Sequence, residues 1–185
     1  SYKANIIKNY FGNFYNGIPI RYCYEETPLG TGGALLKASE MIMADQFFAI
    51  NGDTFFKVDV KELLKLHQKK NSKLSLCLFE TFEDKRYKII KLNKSGKIIK
   101  STLGNEEKKL VNGGVYLIEK EDFNLKKFNN SLFTFSFEED YIEKMIFKDS
   151  RLFGFKFDKP FLDIGIPEDY KNAENFLNRN AVNEI

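Results

Sequence analysis

The chain is short of the side chains on which much hydrolytic and metal chemistry depends. It has 185 residues, with one histidine, two cysteines and no tryptophan. The single histidine, His67, makes a zinc cluster or a Ser-His-Asp triad hard to build. The cysteines, Cys23 and Cys77, lie inside apolar runs, which predicts buried reduced thiols rather than a disulfide or a metal site.

Long apolar runs and charge of one sign are also missing. No stretch approaches the roughly 20 apolar residues that cross a membrane, and no signal peptide is visible. The 29 basic and 26 acidic residues leave a net charge of +3, a near balance that is not typical of proteins that bind DNA or RNA. We therefore expect a cytoplasmic protein with neither nucleic acid nor a membrane as partner. The sequence leaves open whether it forms a homo-oligomer.

The order of apolar patterns predicts an α/β fold in a single domain, residues 1–185. Helical and extended segments alternate along the chain, and the apolar run FFAI at 47–50 is typical of a strand buried in a parallel sheet. Residues 86–103 have the pattern of a hairpin about a turn at 93–96. We expect a Rossmann-like, mostly parallel sheet flanked by helices, with a small antiparallel insertion. Further strands are predicted at 18–25, 73–80, 110–119 and 151–158, and helices at 3–11, 33–43, 59–70, 136–146 and from 167.

A glycine-rich loop precedes the second predicted helix. Gly30, Thr31, Gly32 and Gly33 occupy four consecutive positions. Glycine lets the main chain come within hydrogen-bonding distance of a ligand because no Cβ intervenes, and a helix start offers free N–H groups. A phosphate or a flat nucleobase would suit such a loop, although it matches neither a P-loop nor G-x-G-x-x-G. The alternative is a purely structural turn.

Two aspartates follow short apolar segments. Asp53 ends the sequence Asn51-Gly52-Asp53 directly after FFAI, and Asp163 precedes the terminal helix. Ligands of open α/β sheets bind outside the carboxyl ends of the strands, where carboxylates suit Mg²⁺. We therefore expect Asp53 and Asp163 to converge on one magnesium ion. The alternative for each is a turn or a helix cap.

Five segments, taken in order, resemble the sugar-1-phosphate nucleotidyltransferases. They are EETPLGTGGA, FFAINGDTFF, EKKLVNGGVYLIE, FSFEEDYIEK and FLDIGIPEDY. The match follows the family's order and spacing over nearly the entire chain. The most similar branch is the short bacterial guanylyltransferases that act on D-glycero-D-manno-heptose 1-phosphate, with mannose-1-phosphate guanylyltransferases next. The resemblance implies transfer of a nucleoside monophosphate from a nucleoside triphosphate, GTP favoured, to a sugar 1-phosphate, with release of pyrophosphate.

The resemblance also implies a role for particular residues. The catalytic set is Asp53, Asp163 and Lys108, with both aspartates as Mg²⁺ ligands. A metal and a lysine offset negative charge where two phosphate groups meet, so no side-chain nucleophile is required. The nucleotide-binding residues are Leu29, Gly30, Thr31, Gly32 and Gly52. The sugar-binding residues are Glu107, Asn112, Gly113 and Tyr87.

The chain departs from the family pattern at one internal position, and other functions compete. The family's Arg-Tyr-Gly is Arg86-Tyr87-Lys88 here, so that Lys88 either recharges the sugar pocket or is a tolerated change.

One alternative function is that of a mannose- or glucose-1-phosphate nucleotidyltransferase. Another is a non-catalytic nucleotide-sugar-binding or regulatory module. A metal-dependent glycosyltransferase would normally carry Asp-x-Asp, which NGDTFF lacks.

A second departure generates a test. Family members open with a strand and a loop of the type G-x-G-T-R-L that wraps the triphosphate, and nothing in this chain matches it. We therefore expect an N-terminally truncated fragment with little or no transferase activity. Pyrophosphate release from the isolated chain with GTP and heptose 1-phosphate measures this, and robust turnover would contradict it. A G-x-G-T-R-L segment encoded ahead of Ser1 favours the enzyme, and a natural start there favours the binding module.

Overall fold

The computed structural model describes residues 3–82, 87–102, 108–123, 134–148, 151–165 and 167–180. The chain divides into two compact units. The first comprises Ser1–Met43 with Phe123–Ile142, and the second comprises Ala44–Asp122 with Glu143–Ile185. Helices and strands occur in both, and the predicted α/β class is confirmed.

The described part of the first unit contains two helices, a short hairpin and a π-helical segment. The strand predicted at 18–25 is shorter than expected, because pairing with β1 stops at Pro19. Residues 20–25 form no strand, which is consistent with β-branched and aromatic residues needing a neighbouring strand to pair with. The elements are α1 (Ala4–Phe11), β1 (Phe14–Tyr15), β2 (Ile18–Pro19), α2 (Gly30–Ser39) and the π-helix Phe137–Ile142.

The second unit, in the residues that the structure describes, holds the main sheet and three helices. Its strands are β3 (Gln46–Ile50), β4 (Thr54–Phe56), β5 (Leu74–Thr81), β6 (Ile89–Leu92), β7 (Ile98–Thr102), β8 (Lys109–Glu119), β9 (Leu152–Lys156) and β10 (Phe161–Asp163). Its helices are α3 (Val60–Lys69), α4 (Glu143–Phe147) and α5 (Pro167–Asn180), together with a 3₁₀ turn at Lys120–Asp122. No helix among the described residues has both the length and the apolar content that a membrane crossing requires.

The sheet is built around β8. One edge of β8 pairs antiparallel with β5, and the other edge pairs first with β6 at Val111 and then with β3 from Val115 onwards. The sheet continues through β9, which is parallel to β5, and through β7, which is antiparallel to β6. The strands β4 and β10 form a separate antiparallel pair.

Antiparallel pairing is more extensive than the sequence pattern predicts. The run at 47–50 lies in β3, which is antiparallel to β8. It is also not fully buried, since Phe48 is 39% exposed and Ile50 is 62% exposed. The prediction of a buried parallel strand there is therefore wrong. Periodicity cannot reveal strand direction, because a short apolar run is compatible with either.

Several local signals are confirmed by hydrogen bonds. The Asp59 side chain accepts from the first backbone N–H groups of α3, and Asn93 closes the hairpin turn between β6 and β7. Ser136 Oγ accepts from the Glu139 N–H at 3.1 Å, as a capping box requires. The carboxylate that accepts from the Ser136 N–H belongs to Asp140 instead of Glu139, at 2.7 Å. This segment is π-helical, and its wider turn shifts the partner by one residue.

The core of the second unit is apolar and rich in aromatic rings. It includes Cys77, and burial raises the pKa of this thiol well above its ordinary value. The prediction of a buried reduced thiol is confirmed for Cys77, whereas Cys23 is half-buried. The other buried members are Phe56, Leu63, Phe79, Val111, Val115, Leu117, Phe155 and Phe157.

The only histidine is fully buried and joins α3 to the sheet. His67 Nδ1 lies 2.7 Å from Ser75 Oγ on β5, and Nε2 lies 2.9 Å from Glu119 Oε1 on β8. Gln46 of β3 donates to the same Glu119 oxygen at 2.6 Å. Burial lowers the pKa of His67 below its ordinary value of 6.5, against the opposing effect of the Glu119 hydrogen bond. His67 is therefore a structural hydrogen-bonding group rather than a solvent-accessible base.

This network predicts a loss of stability in mild acid. Because the folded-state pKa of His67 is lowered, the unfolded chain binds more protons than the folded chain once the pH falls below about 6.5. The free energy of unfolding should therefore decrease with falling pH in that window, by up to about 1.4 kcal/mol per pH unit. Urea denaturation between pH 7.5 and pH 5 measures the decrease. His67→Gln is the control, since it cannot be protonated, and an equal pH dependence in both proteins would contradict the prediction.

Candidate active site

The second unit brings Asp53, which directly precedes β4, close to Asp163, which ends β10, because the two strands pair. Thr54, at the start of β4, is paired with Asp163, at the end of β10. The backbone continues this contact, since the Ile164 N–H donates to the Asp53 carbonyl at 2.9 Å. Asp53 is exposed and Asp163 is half-buried. The two residues predicted as metal ligands are thus sequence-distant neighbours, and their role in binding metal stays a prediction.

Asp163 is oriented by hydrogen bonds to both carboxylate oxygens. The Gly165 N–H donates to Oδ1 at 2.8 Å, and the Tyr87 hydroxyl donates to Oδ2 at 3.1 Å. The Tyr87 ring lies edge-on to Phe79 and Phe161, whose rings stack on each other with centroids 3.8 Å apart. Tyr87, predicted from the resemblance to bind sugar, is therefore held by an aromatic cluster next to one of the predicted metal ligands.

The glycine pair in β8 makes room for the loop that carries Asp53. A Cβ at Gly113 would overlap the Phe56 ring. Gly114 has φ +71°, and a Cβ there would lie 2.9 Å from both Asn51 Nδ2 and Thr54 Oγ1. The Asn51 N–H also donates to the Gly114 carbonyl at 2.9 Å. The side-chain volume missing at both glycines is therefore occupied by the protein's own residues.

The other predicted residues of the second unit differ in how they are held. Asn112 is engaged within the fold, since its amide donates to the Tyr116 hydroxyl at 2.6 Å and its carbonyl accepts from the Gly114 N–H at 3.1 Å. Lys108 is 54% exposed and lies 2.7 Å from Glu80. Apart from its chain neighbours, no described residue lies within 4 Å of the position where a Cβ of Gly52 would be. Glu107 lies outside the described residues.

The lysine that replaces the family's glycine has an acidic partner. Lys88 Nζ lies 2.6 Å from Glu143 Oε1 of α4, and both side chains are about one-third exposed. An ion pair offsets much of the added positive charge. This contact favours a tolerated change at position 88 over a recharged sugar pocket.

The glycine-rich loop of the first unit packs against residues 134–137. The Gly32 N–H donates to the Phe135 carbonyl at 2.9 Å, and the Phe135 N–H donates to the Leu29 carbonyl at 3.0 Å. Gly30 has φ +71°, and a Cβ there would lie 2.5 Å from the Phe135 oxygen. A Cβ at Gly32 would overlap the Phe135 ring. Part of the missing side-chain volume in this loop therefore serves the chain's own packing.

Side chains also hold the loop. Thr31 Oγ1 accepts from the Phe137 N–H at 2.9 Å, so this hydroxyl fixes the start of the π-helix. The Leu29 N–H donates to Glu25 Oε2 at 3.1 Å. α2 begins at Gly30, three residues before the predicted start at Gly33, so the glycines form its first turn. The nucleotide-binding role of Leu29, Gly30, Thr31 and Gly32 stays a prediction.

Comparison with known sequences identifies the family. The protein-family model for nucleotidyl transferases matches residues 1–180 of this chain. The chain belongs to this nucleotidyl transferase family. Both the family and the enzyme class predicted from the resemblance are confirmed. Members of this family generally use a divalent metal ion.

The relatives of this nucleotidyl transferase include two heptose enzymes. It is 39% identical to D-glycero-alpha-D-manno-heptose 1-phosphate guanylyltransferase of Aneurinibacillus thermoaerophilus, over 95% of this chain and 75% of that protein. The enzyme of the same name from Campylobacter jejuni is 37% identical, over 92% of this chain and 73% of that protein. The crystal structure of HddC from Yersinia pseudotuberculosis has a TM-score of 0.80 and 30% identity, over 95% of this chain and 75% of that chain. A structure of HddC complexed with GMP-PN has a TM-score of 0.78.

The sequence analysis missed several residues that shape these regions. Glu80 forms ion pairs with both Lys108 and Lys156, and Phe135 packs against the glycine-rich loop. Lys156 is seven residues ahead of Asp163 in a strand with an alternating pattern, where a lysine resembles an ordinary solvent-facing residue. Glu80 and Phe135 carry no distinguishing local signal either, since their significance depends on contacts with distant segments.

The packing at Gly113 predicts a stability effect. Gly113→Ala should lower the free energy of unfolding by about 1–3 kcal/mol, because the new methyl group overlaps the Phe56 ring. Gly52→Ala in the same unit is the matched control, and it should change stability by less than about 0.5 kcal/mol because its Cβ meets open space. Urea denaturation of the three proteins measures both effects. Equal stability of the two variants would contradict the packing role of Gly113.

Proposed function

We propose that this nucleotidyl transferase moves a guanylyl group from GTP to a manno-heptose 1-phosphate, forming a GDP-sugar for surface polysaccharide synthesis and releasing pyrophosphate. A phosphate oxygen of the sugar 1-phosphate forms the new bond to the α-phosphorus of GTP. The bond between the α-phosphorus and its bridging oxygen to the β-phosphate breaks, and pyrophosphate leaves with that electron pair. The observation that carries the proposal is the identity of 37–39% to two heptose 1-phosphate guanylyltransferases over more than nine-tenths of the chain.

The proximity of Asp53 to Asp163 supports a magnesium site. Asp53 lies next to the residue paired with Asp163, and Asp163 is oriented by two hydrogen bonds. Among the described residues, no three metal-ligating side chains cluster. This suits Mg²⁺, which is usually bound by one or two carboxylates, with water and substrate phosphates as its other ligands. Bound there, Mg²⁺ would supply charge neutralisation at the reacting phosphates.

The chain's own residues would then act by position and charge. His67 and Cys77 are buried in the second unit, where burial lowers the pKa of His67 and raises the pKa of the Cys77 thiol. In-line phosphoryl transfer needs neither, since alignment and neutralisation of two anions supply most of the acceleration. Lys108 would place a positive charge near the sugar phosphate, and Tyr87 would hold the orientation of Asp163.

The glycine-rich loop is proposed to bind the guanine nucleotide. Its backbone groups are held in place by Phe135 and Phe137, so the loop is organised by the chain itself. A preorganised loop loses less conformational entropy when a ligand binds. HddC, with 30% identity to this chain, has been crystallised with GMP-PN, which supports a guanine nucleotide over the other bases.

A substrate screen tests this proposal. The protein expressed from its natural coding sequence should release pyrophosphate fastest with GTP and D-glycero-D-manno-heptose 1-phosphate, in the presence of Mg²⁺. Mannose 1-phosphate and glucose 1-phosphate, each with the four nucleoside triphosphates, are the comparison substrates. Faster turnover of either would favour the corresponding alternative enzyme. Absence of turnover with every pair, in a protein that still binds nucleotide, would favour a binding or regulatory module.

Substitution of the two aspartates sharpens the test. Asp53→Asn and Asp163→Asn should each lower Mg²⁺-dependent turnover by about a hundredfold or more, because charge stabilisation at the reacting phosphates is lost. Asp45→Asn is the matched control, since Asp45 is an exposed carboxylate of the same unit that precedes β3, whereas Asp53 follows it. Undiminished turnover in both site variants would rule out the proposed metal ligands.

A further inference from the structure

Tyr87 contacts β10 at two points on the same face of that strand. Successive side chains of a strand point to opposite faces, so Phe161 and Asp163 project from the same face of β10. The Tyr87 ring lies edge-on to Phe161, with ring centroids 6.3 Å apart, and the Tyr87 hydroxyl donates to Asp163 Oδ2 at 3.1 Å. A side chain from a distant part of the sequence therefore reaches Asp163 because its ring packs beside Phe161.

The Tyr87 ring is held from a second direction by Phe79 of β5. Phe79 lies edge-on to Tyr87, with centroids 5.9 Å apart, and it stacks on Phe161 at 3.8 Å. Phe79 is buried in the core of the second unit, and Tyr87 and Phe161 pack against that core. Edge-to-face and stacked contacts between rings have preferred geometries. The Tyr87 hydroxyl is therefore directed towards Asp163 by packing within the protein itself.

The two residues after Tyr87 are anchored separately. Lys88 Nζ lies 2.6 Å from Glu143 Oε1 of α4, and Ile89 is buried at the start of β6. The ion pair is about one-third exposed, so it contributes little free energy by itself. It nevertheless connects the backbone next to Tyr87 with α4. The lysine that replaces the family's glycine thus helps to keep Tyr87 in place.

Two hydrogen bonds restrict the rotation of the Asp163 carboxylate. The Gly165 N–H, two residues along the chain, donates to Oδ1 at 2.8 Å, and the Tyr87 hydroxyl, 76 residues away in sequence, donates to Oδ2. The terminal torsion of an aspartate has broad minima, so a single hydrogen bond leaves the plane of the carboxylate loosely defined. Donors to both oxygens define that plane. The Gly165 contact belongs to the local turn, whereas Tyr87 supplies the long-range restraint.

We infer that Tyr87 is a positioning residue of the metal site, whose hydroxyl fixes the orientation of Asp163 and does not donate a hydrogen bond to the sugar. The inference rests on the proposed function for the role of Asp163 as a Mg²⁺ ligand. It differs from the sugar-binding role that the resemblance implied for Tyr87, and it assigns the ring and the hydroxyl separate tasks.

The chemistry of hydrogen bonds to metal ligands supports this role. Carboxylates that bind metals are themselves hydrogen-bonded, and loss of such a partner typically lowers metal affinity or activity by roughly 10- to 100-fold. A tyrosine hydroxyl has one proton to donate, and here it is donated to Asp163. A neutral sugar oxygen would compete for that proton with an ionised acceptor, which forms the stronger hydrogen bond. The hydroxyl proton therefore stays with Asp163.

Metal binding at equilibrium tests the inference without requiring catalysis. Mn²⁺, as a spectroscopic substitute for Mg²⁺, would be titrated into the protein expressed from its natural coding sequence and saturated with a non-hydrolysable GTP analogue. Free Mn²⁺ is measured by electron paramagnetic resonance. Tyr87→Phe keeps the ring and removes the hydroxyl, and it should weaken Mn²⁺ binding about tenfold or more.

Two further variants serve as controls. Tyr170→Phe makes the same exchange at a residue that is 67% exposed on α5 of the same unit, and it should bind Mn²⁺ as the wild type does. Asp163→Ala removes the carboxylate through which Tyr87 is inferred to act. Adding Tyr87→Phe to Asp163→Ala should therefore cause no further loss of Mn²⁺ binding, and an additive loss would contradict the inference.

Kinetics separate the positioning role of Tyr87 from sugar binding and from a purely structural role. In Tyr87→Phe, the Mg²⁺ concentration that gives half-maximal pyrophosphate release should rise about tenfold, with KM for the sugar 1-phosphate unchanged at saturating Mg²⁺. A raised KM for the sugar with unchanged Mg²⁺ dependence would overturn the inference. Lower stability in urea with wild-type Mn²⁺ affinity would overturn it as well.

The same experiments distinguish the inference from the proposed function. Mn²⁺ binding that depends on Tyr87, in a protein that transfers no nucleotidyl group, would refute the proposed function alone. Normal guanylyl transfer, with wild-type Mn²⁺ binding by Tyr87→Phe, would refute the inference alone. Absence of Mn²⁺ binding to the wild-type protein would refute both the inference and the proposed metal ligands.

Discussion

Gly113 and Gly114 determine how closely the rest of the second unit approaches its central strand. The Phe56 ring occupies the space beside Gly113, and Asn51 lies against Gly114, whose carbonyl accepts the Asn51 N–H. This contact holds the turn that leads from β3 into β4. β4 in turn pairs with β10, and that pairing brings Asp53 next to Asp163. A side chain on either glycine would push this loop outwards, so the geometry of the acidic pair depends on two absent Cβ atoms.

The buried ionisable groups of the second unit contribute to its packing, whereas the exposed ones are the candidates for binding and catalysis. His67 is fully buried and ties α3 to two strands, and Cys77 is part of the apolar core. Burial disfavours the charged form of each group, so neither suits proton transfer or nucleophilic attack. Asp53, Lys108 and Asp163, by contrast, are exposed or half-buried and lie at the ends of strands. Such a set is suited to binding a cation and phosphates, and phosphoryl transfer requires little more than that.

The glycine-rich loop illustrates how one motif can meet two requirements. Gly30 and Gly32 are needed because the backbone and ring of Phe135 occupy the adjacent space, and Thr31 accepts a hydrogen bond from Phe137. The sequence analysis set a ligand-binding loop against a structural turn as alternatives. The contacts show that a structural requirement is present, and this requirement is compatible with nucleotide binding, since a loop held by its own chain is already ordered. Membership of the nucleotidyl transferase family supports the second role.

The sequence by itself determined the α/β class, the family, the Asp59 cap and the turn at Asn93, because these depend on short-range patterns and on motifs read in order. It also singled out Asp53 and Asp163, since each follows an apolar strand. Only the tertiary structure decided the direction of β3, the burial of His67 and the meeting of Lys108 with Lys156 at Glu80. The physical reason is that strand pairing joins residues far apart in sequence. Local composition is the same whether the ammonium group of a lysine is solvated or lies beside a carboxylate on the next strand.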